Sequence, residues 1–111
     1  MHYTITLTIP EYRTYDGVLI ERQETIKTIP FACGEDIYYV HRKKWWKDRS
    51  PFVITKCRVT GMWATNVVGV ILDGDNHVSE RSFDMIFKSR TDAIECCLKL
   101  NEHNKVTIYG E

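Results

Sequence analysis

The chain has 111 residues, with 15 Lys or Arg against 15 Asp or Glu, 43% hydrophobic residues and 27% charged ones. That length holds one domain with a single modest core, and that composition belongs to a folded globular chain rather than a disordered one. No apolar run approaches the roughly 20 residues that cross a bilayer, and the balanced charge excludes bulk attraction to nucleic acid or membrane, leaving only local attraction.

Tyr3-Thr4-Ile5-Thr6-Leu7-Thr8-Ile9 alternates without a fault, threonines on one face, Tyr3, Ile5, Leu7 and Ile9 on the other. This predicts a half-buried strand. Asp16-Gly17 predicts a two-residue hairpin turn, which sets Leu7 against Ile26, Glu11 against Arg22 and Ile9 against Glu24. The last pairing is a mismatch, and Pro10 cannot donate to a ladder, so a bulge is expected there. The hairpin spans 3–28, and either completes the sheet or pairs between subunits as a homodimer.

Barrel strands are expected over 29–88. Ile37-Tyr38-Tyr39-Val40 follows the turn Gly34-Glu35-Asp36. Phe52 to Thr60 reads as a strand broken by Gly61, and Asn66 to Leu72 as an apolar strand. Asp73-Gly74-Asp75-Asn76 is a turn that lacks the frame of a calcium loop, and His77 to Phe83 is the expected return strand. Ser89 is positioned to cap a helix over 89–103, with Asp92 in its first turn and Ala93, Ile94, Cys97, Leu98 and Asn101 at helical spacing. Residues 105–109 close the chain as a last strand. The fold class is mainly β (α+β): a small barrel or strongly bent antiparallel sheet, with an N-terminal hairpin and one C-terminal helix, in a single domain of residues 1–111.

Between two of these strands lies His41-Arg42-Lys43-Lys44-Trp45-Trp46-Lys47-Asp48-Arg49. Five cations against one acid give it a charge of +4, so the rest of the chain carries −4. Lys and Arg meet phosphates or carboxylates, and an exposed indole stacks on a base or anchors in a pocket. In an extended loop adjacent side chains point opposite ways, so one of Trp45 and Trp46 is expected at the surface or its rim. Trp63, just past Gly61, is either a third exposed aromatic or packed against the helix.

The N-terminus Met1-His2-Tyr3-Thr4-Ile5 lacks the charged start and apolar block of a signal peptide, so a cytosolic protein with reduced thiols is expected. Cys33, Cys57, Cys96 and Cys97 show no C-x-x-C spacing, and His2, His41, His77 and His103 are scattered singly. No metal and no cofactor are expected, and the thiols are expected to pack as small buried hydrophobes. Catalysis is not expected either: there is no G-x-S-x-G, P-loop, dinucleotide glycine set or H-E-x-x-H, and a hydrolase would have to rest on Cys57 or His77.

Gly34-Glu35-Asp36-Ile37-Tyr38-Tyr39-Val40 resembles the G-D/E-x-V-Y-Y/F-I/V opening strand of small SH3-like barrel proteins of Firmicutes phages and mobile elements. Val59 with Gly61 resembles their x-V-x-G/S-I strand. Ile86-Phe87-Lys88-Ser89-Arg90-Thr91-Asp92-Ala93 resembles their I/V-F-x-T-R-E-E-A lead into a C-terminal helix. The resemblance covers roughly residues 29 to 100 by element order. It departs at Ser89 for Thr, at Thr91 for Glu, in the long hairpin, and in the Arg42-to-Arg49 insertion. It implies the fold and a mobile-element origin, and it carries over no catalytic residue.

The resulting expectation is a non-catalytic protein that binds a host protein or nucleoprotein, for example an anti-CRISPR-type inhibitor of a defence nuclease. Its partner-binding residues are Arg42, Lys43, Lys44, Trp45, Trp46, Lys47, Arg49 and Trp63. The alternative is a nucleic-acid-binding barrel using Arg42 to Arg49 on phosphates, against which the neutral overall charge counts. No membrane partner is expected.

Overall fold

The computed structural model describes residues 3–47 and 49–111; Met1, His2 and Asp48, used in the sequence reading, lie outside them. Strand β1 (Tyr3–Ile9) pairs antiparallel with β4 (Gln23–Ile29), from Tyr3 opposite Ile29 to Ile9 opposite Gln23. Between them β2 (Tyr12–Arg13) and β3 (Leu19–Ile20) carry the ribbon to its tip. The hairpin is as expected, but its register is one residue away: Leu7 faces Thr25, not Ile26, and Ile9 faces Gln23, not Glu24. The turn is the reason. Thr14 N donates to Val18 O at 2.9 Å and Gly17 N to Thr14 O at 3.0 Å, closing the three-residue loop Tyr15-Asp16-Gly17. Gly17 there has φ 86°, the left-handed third position of a turn-plus-bulge hairpin. The Thr14 hydroxyl holds the loop, donating to Asp16 Oδ1 at 2.6 Å and accepting from Val18 N at 3.0 Å. Register is then the same on both sides of Pro10, and the extra residue sits at Gly17 rather than near the proline.

The body is built on β5 (Asp36–Arg42) and β6 (Phe52–Ala64), followed by β7 (Val68–Leu72), β8 (Asn76–Ser79), β9 (Ile86–Phe87) and β10 (Ile108–Tyr109). Their order is β8-β7-β6-β5-β9, with β10 parallel on β6. Gly61 does not end β6. Register against β7 shifts between Val59 and Gly61, so the strand bends there and runs on to Ala64. Its first half, to Arg58, pairs with β5, and its second half, from Val59, with β7. The return strand stops at Ser79, short of the expected Phe83. Glu80-Arg81-Ser82 breaks the period of two, and a 3-10 helix over Glu80–Met85 turns Phe83 edge-on to Phe31 at 5.5 Å. Strands β8 and β9, at the two ends of this order, are not paired with each other. The protein is therefore mainly β, with open antiparallel sheets and one C-terminal helix.

Alternation along β5 feeds two cores. Ile37 faces Val59, Val70, Leu72, Val78 and Ile86, with Ile29 and Phe31 from the end of the hairpin. Val40, one face over, meets Ile54 and the buried Ala93 and Cys97 of α1 (Arg90–Leu100). Ser89 caps α1 as expected, accepting from Asp92 N at 3.3 Å. The helix ends at Leu100 rather than 103, because Glu102 (φ 55°) and His103 (φ 61°) are left-handed. The last strand shrinks likewise, from 105–109 to a two-residue ladder on Ile54 and Thr55. No helix among the described residues is long and apolar enough to cross a membrane.

One ion pair couples the strand layer to the segment before α1. Glu35 accepts from Ala32 N at 2.8 Å and from Lys88 Nζ at 3.0 Å. The backbone bond first, and Lys88 after it, hold its carboxyl below the ordinary carboxylate range. A depressed folded-state pKa contributes stability above the unfolded value that is lost as pH falls through the folded one. Glu35→Gln is accordingly expected to flatten the fall in melting temperature on acidification below the ordinary Glu range, which thermal melts across a pH series will read.

Candidate functional site

Arg42 closes β5 opposite Phe52, the first residue of β6, so the basic stretch becomes the loop that joins the two central strands. Its root is tied at both ends. Lys43 N donates to Pro51 O at 2.8 Å, and Lys44 N to Ser50 Oγ at 2.8 Å. Ser50 is only 7% exposed, and its carbonyl accepts from Arg42 Nη1 at 2.8 Å. The Arg42 guanidinium also lies over the Phe52 ring, 4.5 Å from its centroid. Arg42, one of the expected contact cations, thus gives one of its five N–H donors and one face of its guanidinium to holding the loop.

At the loop's crest Lys47 N donates to Lys44 O at 3.0 Å, which closes a tight turn with Trp45 and Trp46 at its two central positions. Both corners of such a turn project outward. Trp45 is 83% exposed and Trp46 62%, with their rings edge to face, centroids 5.9 Å apart. The expectation of one surface indole thus gives way to two. Lys43, Lys44, Lys47 and Arg49 are all exposed around them. The two indoles thus stand side by side within a ring of cations.

Trp45 also overhangs an open groove of about 700 Å³ across the β5–β6 face, lined among others by Tyr39, His41, Lys43, Lys56 and Cys57. His41 is fixed there, its Nε2 2.7 Å from the Thr55 hydroxyl and its Nδ1 2.8 Å from Arg42 O, with Tyr39 tilted against its ring. Burial lifts the Cys57 thiol to about 11 and raises those of Cys96 and Cys97. Cys57 stays a thiol near neutrality and is a poor nucleophile there. Cys33, expected to be buried, is exposed. Alkylation with iodoacetamide at mildly alkaline pH should therefore label Cys33 first, with Cys57 and Cys97 lagging by at least an order of magnitude; mass spectrometry of timed aliquots reads the order.

Trp63, the remaining expected contact residue, is half-buried on β6, beside His77, which lines the same groove. It lies directly across from Gly69 on β7, its indole over that glycine and 6.4 Å from the His77 ring, rather than on the helix. Among the described residues no group of three His, Cys, Asp or Glu is set to hold a metal. The residue that sequence reading underrated is Asn101. Its side chain accepts from Phe52 N and donates to Phe52 O and Lys105 O, each at 2.8 Å, and so pins the foot of the tryptophan loop to the end of α1. Comparison with protein-family models, with curated proteins and with solved structures finds no match to this chain.

Proposed function

We propose that this protein is a non-catalytic binding protein that engages a host protein or nucleoprotein through the Trp45-Trp46 turn and its ring of cations. The observation that carries the reading is the side-by-side exposure of two indoles on a loop anchored at Arg42, Ser50 and Asn101. Tryptophan and arginine are the types enriched where binding energy concentrates, and a partner of matching chemistry offers an apolar cleft rimmed by carboxylates. The motif resemblance over roughly residues 29 to 100 extends this to a phage- or element-encoded derivative of the SH3-like barrel, acting in the host cytosol. Its sharpest form is an anti-CRISPR-type inhibitor of a defence nuclease. Capture from host extract with wild type and a Trp45→Ala/Trp46→Ala double variant in parallel, followed by titration of the purified partner, tests it. The double variant should lose roughly two orders of magnitude in affinity. Unchanged binding by a variant with unchanged circular dichroism sinks this surface.

Nucleic acid is the second reading, favoured by the four exposed cations Lys43, Lys44, Lys47 and Arg49 around stackable rings. Counting Arg42, which keeps its charge and its other N–H donors, the loop neutralises at most five phosphates. The log–log salt slope is then no steeper than about −4.5 on duplex and about −3.5 on single strands. Fluorescence anisotropy over a salt series reads the slope, and absent or salt-insensitive binding to DNA and RNA removes this alternative.

A further inference from the structure

The strand order β8-β7-β6-β5-β9 does not close on itself, and a groove of about 700 Å³ lies between its two halves. Strands β5 and β6 supply Tyr39, His41, Thr55 and Cys57 to one side of it. Strands β7 and β8 supply Leu72, His77 and Val78 to the other, and Met85 comes from the 3-10 helix that replaces the end of the return strand. A concave, largely apolar space of this size, with a few polar groups at its edge, is the usual form of a small-ligand site.

Its aromatic side is fixed before any ligand arrives. Both nitrogens of His41 are occupied, Nδ1 at Arg42 O and Nε2 at the Thr55 hydroxyl, so the ring meets the groove with its face. Tyr39 lies against that ring with centroids 5.1 Å apart and planes 36° from parallel. The exposed Trp45 indole borders the same space. Planar surfaces of this kind favour a planar guest, through offset or edge-to-face stacking.

The charge at the edge is of one sign. Arg42, Lys43 and Lys56 stand against the single carboxylate Asp73, three minus one, or +2, on a chain whose total is zero. Among the described residues neither Lys43 nor Lys56 takes part in an ion pair. Asp73 already accepts from Arg58 N at 2.9 Å. Burial pushes the Cys57 thiol up to about 11, so it adds no negative charge near neutrality. An apolar, flat-sided groove with unpaired ammonium groups at its mouth attracts an anion locally, whatever the balance of the whole chain.

We propose that this groove binds a small aromatic anion, its ring against the Tyr39–His41 surface and its sulfonate, phosphate or carboxylate at the lysines of the mouth. The site is separate from the partner contact of the tryptophan turn and needs no partner to be read. The test is fluorescence titration of the purified full chain with anilinonaphthalene sulfonate and with phenylnaphthylamine, which has the same rings and no charge. The sulfonate should bind saturably, one per chain, and at least tenfold more tightly than the neutral probe. Lys43→Ala combined with Lys56→Ala should weaken the sulfonate about tenfold and leave the neutral probe nearly unchanged. Both side chains reach solvent, so the melting temperature of this variant should stay close to that of wild type. Lys99→Ala, on α1 and outside the groove, is the control for a general loss of charge and should change neither probe. Amide shifts on titration should be largest at Tyr39, His41 and Thr55. Titration with adenosine monophosphate and with adenosine distinguishes the source of the ligand. Preference for the monophosphate marks a nucleotide site, and binding of the sulfonate alone marks a site for another aromatic acid. Failure of both anions to bind, equal affinity for charged and neutral probes, or affinity unmoved by the double lysine variant overturns the proposal.

Discussion

Replacing Gly69 by Ala is expected to lower stability by about 3 kcal/mol. A Cβ built on Gly69 falls 2.2 Å from Trp63 Cε2, 2.3 Å from Cζ2 and 2.5 Å from Nε1. Those atoms belong to a rigid bicyclic ring, so no flexible end is free to yield. Nor is the backbone: Gly69 lies in the middle strand, opposite Trp63 on β6 and Ser79 on β8. The indole must therefore leave its site, giving up burial worth about 2–3 kcal/mol, or β7 must shift and loosen Val68 and Val70, which are fully buried. On the usual scaling, thermal denaturation should show a melting temperature about 10 °C lower or more. The double variant Gly69→Ala/Trp63→Ala should cost clearly less than its two parents added together, because the clash exists only when both groups are present. A Gly69→Ala protein that melts within about 2 °C of wild type would mean that the ring does not lie on the glycine.

The same close approach shows which features a sequence can carry. Alternation in Tyr3–Ile9 and the cap at Ser89 are local patterns, and both appear as read. Asp16-Gly17 marks a hairpin, yet the dipeptide fits a two-residue turn and a three-residue one alike, since both ask for a left-handed glycine. What selects between them is the Thr14 hydroxyl bonded to Asp16 and Val18. That one-residue choice moves Ile26 from the face of Leu7 to the opposite one. Gly61 reads as a break from its lack of a side chain, but the pairing with β7 continues past it, and tertiary partners outweigh propensity. At the tryptophan loop, composition alone identifies the basic stretch. It does not reveal the turn at Lys44–Lys47, which contains no glycine, proline or asparagine, so two exposed indoles were beyond its reach. Arg42 and Asn101 look like one more cation and one more helix end until the fold sets them beside Phe52.

Asn101→Ala is the other large expected effect, and it links stability to the tryptophan loop. One amide accepts from Phe52 N and donates to Phe52 O and Lys105 O; truncation leaves Phe52 N without a partner and Phe52 O with only the Cys97 thiol at 3.4 Å, at a part-buried site, while Lys105 O is open to solvent. Each of the two part-buried groups costs about 1 kcal/mol or more, which sets the loss at about 2–3 kcal/mol before any relaxation. Buried Val53 and Cys97 adjoin this site, the Cys97 sulfur 3.5 Å from Asn101 Nδ2. The local consequence is as informative as the global one. Phe52 carries the ring on which Arg42 rests, and Arg42 in turn holds Ser50 O at the loop's root. A freed Phe52 backbone therefore loosens the turn that presents Trp45 and Trp46, and the indoles lose the fixed edge-to-face geometry seen at 5.9 Å. Asn101→Ala should lower the melting temperature by about 10 °C and speed amide exchange at Lys43 and Lys44, whose N–H groups bond across the same root. Asn101→Asp keeps the acceptor for Phe52 N but loses both donors, so it should fall close to the alanine variant rather than to wild type. Hydrogen exchange at the loop amides that stays at the wild-type rate in either variant would separate the helix end from the tryptophan turn and leave Asn101 a purely local cap.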